Sequence, residues 1–166
     1  LIPFLVLILR FKIWHYLHIF YGMVISLILV INISIYPISA FFGNVDRETA
    51  ILFGWEKIVE VVSKEKKLRG IKKVVFSDYI IGSLYIFHSN DFNADVVMEE
   101  RRTQFDLWRE EENSFEKSTL IVADKDFPIG KKISSCFEKI EFVRDIEIRK
   151  GSKLVRKYQV FLGTNQ

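Results

Sequence analysis

The 24 residues from Ile19 to Phe42, IFYGMVISLILVINISIYPISAFF, contain no charged side chain. At ~1.5 Å per residue, a helix of that length exceeds the ~30 Å hydrocarbon thickness of a bilayer. Core helices of soluble proteins are seldom so long without a charge. The sequence therefore predicts a transmembrane helix over 19–43, with Pro37 near its outer end, where a kink is tolerated. Ahead of it, LIPFLVLIL (Leu1–Leu9) is too short to span a bilayer as a helix. A signal peptide would place basic residues before its apolar run, whereas Arg10 and Lys12 follow it. The expectation is that 1–9 ends an earlier membrane helix and that the chain is the C-terminal piece of a larger protein.

Arg10 and Lys12, with Trp14, Tyr16 and Tyr21 around them, give residues 10–18 the look of a short cytoplasmic connection, because basic loops stay inside and aromatic rings gather at the interface. The chain would then cross outward, leaving residues 44–166 as an extracytoplasmic domain beyond a bacterial inner membrane. Net charge is +3, and without Arg10 and Lys12 the balance is 22 basic against 21 acidic residues. That balance argues against a nucleic-acid partner. Membrane lipid is the partner that the apolar run implies. The single cysteine, Cys136, cannot form an internal disulfide and reads as a small apolar residue beside Phe137.

Beyond the membrane segment, NVDRETAILFGWEKIVEVVSKEKKLRG reads as one amphipathic helix. Asp46 would cap its start, and Lys66, Lys67 and Arg69 in its last turn suit the macrodipole. Ile51, Trp55, Ile58, Val59 and Val62 share a face, and Gly70 is the C-cap candidate. KKVVFS predicts a buried strand, DYIIGSLYIFHS a helix that Ser77 could cap, ADVVM a second strand, TQFDLWREEE a helix and STLIVA a third strand. Strands alternating with helices predict a parallel sheet. KIEFVRDIEIR and KLVRKYQVFLG both alternate around Lys150, Gly151 and Ser152, predicting a hairpin that extends the sheet antiparallel. Ile140, Phe142, Ile146 and Ile148 would share one face of its first strand, and Leu154, Tyr158, Val160 and Leu162 one face of its second. The fold class is thus membrane-anchored α/β: a transmembrane helix, then a small mixed sheet ending in a β-hairpin. The expected core is Trp55, Ile58, Val62, Val74, Val75, Ile81, Leu84, Leu120, Ile121, Val122, Ile146 and Val160.

No phosphate-binding loop, dinucleotide fingerprint, C-x-x-C or H-E-x-x-H is present, so no cofactor or metal is expected. His15 and His18 lack a third ligand, and His88 reads as a capping or surface group. Glu110, Glu111 and Glu112 are consecutive and would diverge on a helix. The stretch RRTQFDLW (Arg101–Trp108) concentrates more chemistry. Thr103 can cap a helix with Asp106 in its first turn, while Phe105 and Trp108 pack inward. Arg101 and Arg102 precede the cap and carry the planar fork that suits phosphate or carboxylate. Local pairing with Glu99 or Glu100 is the plainer use of the same charges.

Taken in order, DRETAILFGWEKIVEVV, VVFSDYIIGSLYIFH, RRTQFDLW, STLIVA and the terminal hairpin resemble the end of bacterial multi-pass GT-C glycosyltransferases. These are the enzymes similar to dolichyl-phosphate-mannose-protein mannosyltransferases and to the lipid A aminoarabinose transferase. The matching positions are Asp46, Gly54, Trp55, Asp78, Tyr79, Arg102, Gln104, Phe105, Asp106 and Trp108. The resemblance covers about 36–163 and implies sugar transfer from a polyprenyl-phosphate donor to a lipid, glycan or protein acceptor. It implies binding roles for Asp78, Tyr79, Arg102, Gln104, Asp106 and Trp108, to which the reading of the residues adds Arg101. The family's catalytic aspartate lies in its first extracytoplasmic loop, which has no counterpart here, so no catalytic residue is assigned and this portion would be supportive. The alternative is a membrane-anchored binding or assembly module without enzymatic activity.

Overall fold

No proline and one glycine fall between Lys12 and Ser34, and the chain there is a single helix, α1 (Lys12–Ser34). The computed structural model describes residues 12–39, 43, 45–99, 102–108, 115 and 117–165; the expected membrane-helix end at 1–9 lies outside them. By length and composition α1 can cross a membrane, and none of its apolar window is buried. Phe20 and Met23 are 66% and 67% exposed, a display of apolar surface that water does not favour. The helix differs in extent from the run of uncharged residues. It takes in 12–18, expected as a connection, because nothing there breaks helical geometry, and it stops at Ser34. Tyr36 precedes Pro37, and the residue before a proline disfavours the α region.

The chain divides into two compact units between Leu52 and Phe53. In the first, the carboxamide of Asn32 accepts from the Ile38 backbone N–H at 2.6 Å and donates to Thr49 Oγ1 at 3.3 Å. Asp46 caps the short helix α2 (Arg47–Ala50) by accepting from Thr49 N at 2.8 Å. That backbone hydrogen bond is the main reason the Asp46 carboxyl lies below the usual carboxylate range.

The single long helix expected over 46–69 is two. After α2 the chain turns, and Gly54, at φ 81°, opens α3 (Trp55–Arg69), which Gly70 closes at φ 66°. Both glycines take the left-handed conformation that side chains with a Cβ resist. A Cβ on Gly54 would also lie 2.4 Å from Ile148 Cγ2. The apolar spacing through Ile51, Trp55 and Ile58 runs across the break and conceals it.

Then follow β1 (Val74–Phe76), α4 (Tyr79–Ser89), β2 (Ala94–Val96), α5 (Gln104–Trp108), β3 (Ser118–Asp124), α6 (Lys131–Ser134), β4 (Lys139–Lys150) and β5 (Lys153–Thr164). The strands form one sheet in the order β2-β1-β3-β5-β4, with β2, β1 and β3 parallel and β5 and β4 antiparallel. The expected mixed sheet with its terminal hairpin is what forms.

Two apolar layers cover the sheet. On one face α4 packs Tyr85 against Phe76 with ring centroids 4.9 Å apart, and Trp55 of α3 lies 6.4 Å from Tyr158. On the other, Val75 and Ile121 pack with Val97, Phe115, Ile133 and Phe137. Of the expected core, every residue is buried except Leu84, which is half-buried. Cys136 is half-buried beside the second cluster and donates its thiol to the Lys132 carbonyl at 3.1 Å.

One expected face is corrected. The pairing of β4 with β5 shifts between Phe142 and Arg144, so Phe142 opposes Phe161 while Ile146 opposes Tyr158. Directly opposed residues share a face, and the odd-numbered Phe161 and even-numbered Tyr158 point to opposite faces. A β-bulge thus places Ile140 and Phe142 on the Phe137 side and Ile146 and Ile148 on the Trp55 side. In β5, Leu154 is exposed near the turn rather than joining Tyr158 in the core.

Candidate functional site

Three parallel strands must end along one edge, and the chain leaves β1 for β2 on one side before returning to β3 on the other. In open α/β sheets, ligands collect outside the carboxyl ends of the strands where that order reverses. At this edge Ser77 follows β1. Its backbone N–H donates to Val122 O at 3.2 Å and its hydroxyl to Phe127 O at 2.6 Å, tying the loop after β3 across the end of β1.

Asp78, not the expected Ser77, caps α4, accepting from Ile80 N at 2.6 Å. The carboxylate is 2% exposed and lies where the positive end of the helix dipole favours it. Tyr79 stands beside it, 37% exposed.

The segment after β2 supplies the second half of the edge. Glu99 accepts from the Lys132 backbone N–H at the start of α6, and its carboxylate lies so close to Gly130 that a Cβ there would be 2.3 Å from Oε1. Arg102 and Gln104 are exposed, and Phe105 is buried. Asp106 reaches back to accept from Thr103 N at 2.6 Å and Thr103 Oγ1 at 3.0 Å, and Lys132 Nζ lies 3.7 Å from its other oxygen. The carboxylate thereby holds the start of α5, with Asp106 reaching back to the cap residue as in a capping box. Arg101, Glu110, Glu111, Glu112 and the side chain of Trp108 lie outside the described residues.

Two further groups arrive from β3 and β5. Asp124 ends β3 opposite Tyr158, and Arg156 donates Nε to Asp124 Oδ2 at 2.6 Å, with Nη2 on the same oxygen. Both side chains are buried, at 5% and 2% exposure. Asp124 also accepts from Asp126 N at 3.0 Å, shaping the loop. The Tyr158 phenol is fully buried, and that burial, with Asp124 and Asp78 adding to it against the opposing Arg156, pushes its pKa well above the ordinary value. The sequence carried one sign of this pair. Arg156 sits at an apolar position of the alternating strand, between Leu154 and Tyr158.

Between these strand ends lies a cavity of about 270 Å³, lined by Ser77, Val97, Met98, Glu99, Asp126, Phe127, Pro128, Gly130 and Ile133. A larger, shallower groove of about 510 Å³ includes Lys66, Lys67, Lys72 and Asp91. Its lysines have a structural use: Lys66 pairs with Asp91, and cations suit the C-terminal end of α3. His88 is exposed and stacks on Trp55 at 5.6 Å. Among the described residues, no group of three His, Cys, Asp or Glu side chains could hold a metal ion.

Asp78 and Tyr79, which follow β1, therefore share an edge of the sheet with Arg102, Gln104 and Asp106, which follow β2. Asp78 acts there as a helix cap, and Asp106 holds the cap residue Thr103 from the first turn of α5. Compared with family models, with curated proteins and with solved structures, the chain shows no match to any of the three.

Proposed function

We propose that this chain is the C-terminal part of a bacterial membrane glycosyltransferase that moves a sugar from a polyprenyl-phosphate donor to a lipid, glycan or protein acceptor. In this reading α1 is one of several membrane spans, 44–166 lies outside the cytoplasm, and the chain supports a catalytic site held by upstream sequence. The observation that carries the proposal is the convergence of two separate motifs on one edge. Asp78 and Tyr79 follow β1, and Arg102, Gln104 and Asp106 follow β2. Gly54, where the polypeptide enters the second unit, packs on Ile148, and Ile148 pairs with Arg156 beside the same strand ends.

Exposed guanidinium and phenol groups at such an edge can contact a lipid phosphate or an anionic acceptor without doing bond chemistry themselves. The test is sugar transfer by the full-length enzyme with Arg101 and Arg102 both changed to glutamine. Transfer falls while expression and membrane insertion persist. Unchanged transfer would return RRTQFDLW to the role of a helix start.

The second reading, an anchored binding module without catalysis, draws on the structural use of Asp78 and Asp106 at helix starts. Upstream sequence separates the two: further apolar spans and an acidic loop favour the transferase, and a start codon near Leu1 favours the module. Orientation has its own test in Ser152→Cys at the hairpin turn. An impermeant maleimide labels it in intact spheroplasts if the domain is outside, and only after lysis if it is inside.

A further inference from the structure

The cavity at the carboxyl edge draws its walls from the ends of all three parallel strands: Ser77 after β1, Met98 and Glu99 after β2, Phe127 and Pro128 after β3. Its volume of about 270 Å³ falls just short of the ~300 Å³ at which pockets for drug-sized ligands begin. A ligand of one ring fits such a space. Among the described residues that line it, Glu99 and Asp126 are the ionisable side chains, and none is a lysine or arginine. A phosphate or carboxylate would therefore meet like charge from these two side chains. An ionised carboxylate only accepts hydrogen bonds, so the complementary ligand is rich in donors. Met98, Phe127, Pro128 and Ile133 add apolar side chains to the lining.

We propose that this cavity binds a single neutral sugar ring, with its hydroxyls donating to Glu99 and Asp126 and its C–H face against Phe127 and Met98. The choice of an uncharged sugar among donor-rich ligands rests on the glycosyltransferase reading; the donor-rich character of the ligand rests on the cavity alone. Gly130 fits this use, since any larger residue would displace Glu99 from its place beside the cavity.

The two methionines provide the measurement, because Met98 lines the cavity and Met23 lies on α1. The full 166-residue chain, labelled with carbon-13 at the methionine methyls and held in detergent, is titrated with methyl α-mannopyranoside and methyl α-glucopyranoside. Expected is a saturable shift of Met98 with no movement of Met23, and a Kd on the order of 1 mM. Asp126→Asn leaves an exposed side chain of similar size and weakens the midpoint about tenfold, as loss of a charged acceptor does. Glu99→Gln, which retains an acceptor for Lys132 N, does the same.

Parallel, unsaturated drift of both methyls would overturn the proposal, as would saturation by methylammonium with no response to either glycoside. Wild-type affinity in both variants would also overturn it. This readout needs no catalysis. A silent Met98 alongside impaired transfer by the arginine variants would sink the cavity proposal alone, and the reverse result would sink the transferase reading alone.

Discussion

Replacing Gly54 by alanine adds one methyl group at a place with room for none. Two effects combine. The backbone at φ 81° costs an L-residue roughly 1–2 kcal/mol. The new Cβ would lie 2.4, 2.7 and 2.9 Å from Cγ2, Cδ1 and Cγ1 of Ile148. Ile148 is 2% exposed and β-branched, so its Cγ2 cannot swing aside as the tip of a longer chain could. Overpacking of this kind costs about 1–3 kcal/mol, which brings the expected loss to roughly 2–5 kcal/mol. Gly70→Ala is the matched control: its φ is 66°, but nothing lies within 4 Å of its Cβ position. It should lose only the backbone part, roughly 1–2 kcal/mol. Urea unfolding of the chain in detergent, followed by tryptophan fluorescence, reports both. The double variant Gly54→Ala, Ile148→Val should show a favourable coupling, because removing Cδ1 relieves one of the three contacts. If Gly54→Ala loses no more than Gly70→Ala, the start of α3 does not press on β4, and the account of why glycine precedes Trp55 fails.

Trp55→Ala should cost about 3–5 kcal/mol, since Trp55 is 3% exposed and meets both Tyr158 and His88; a loss below ~1 kcal/mol in the same unfolding assay would contradict its burial. Arg156→Met should lose roughly 3–5 kcal/mol by stranding Asp124, and the partner change Asp124→Asn in that background should recover a large part of it. Tyr85 and Tyr158 both have pKa values raised above 10, chiefly by burial. Above the ordinary tyrosine value the unfolded chain sheds these protons while the folded chain keeps them, so stability falls as pH rises past ~10. Absorbance at phenolate wavelengths should show these two rings silent until the unfolding transition, and Tyr158→Phe should flatten the alkaline loss.

The sheet was readable from sequence because VVF and STLIVA are short runs of mainly apolar residues, because ADVVM carries paired valines between helical segments, and because the two terminal segments alternate around Gly151. Three things escaped that reading for physical reasons. The helix break at Gly54 hides inside an unbroken apolar spacing. The bulge at Phe142–Arg144 changes the face of a strand without changing its alternation. The Asp124–Arg156 pair joins residues 32 apart, and it exists only because β5 lies antiparallel on β3 in one register. The motifs at the edge could be found, but their use could not. Thr103 and Asp106 look alike in sequence whether they cap a helix or hold a ligand.

The irregular pairing of β4 has a bearing on how copies of this chain behave when crowded together. At twelve residues β4 is long for a strand with one open side, and a straight backbone of that length would template addition of a second molecule. Its two register shifts bend that row of amides, and charged side chains of both signs, Lys139, Glu141, Arg144, Asp145, Glu147 and Arg149, are spread along it. A neighbouring β4 would meet mismatched spacing and charges at the wrong intervals. The same kink that lets one strand serve both apolar layers therefore also discourages the chain from polymerising through its own edge.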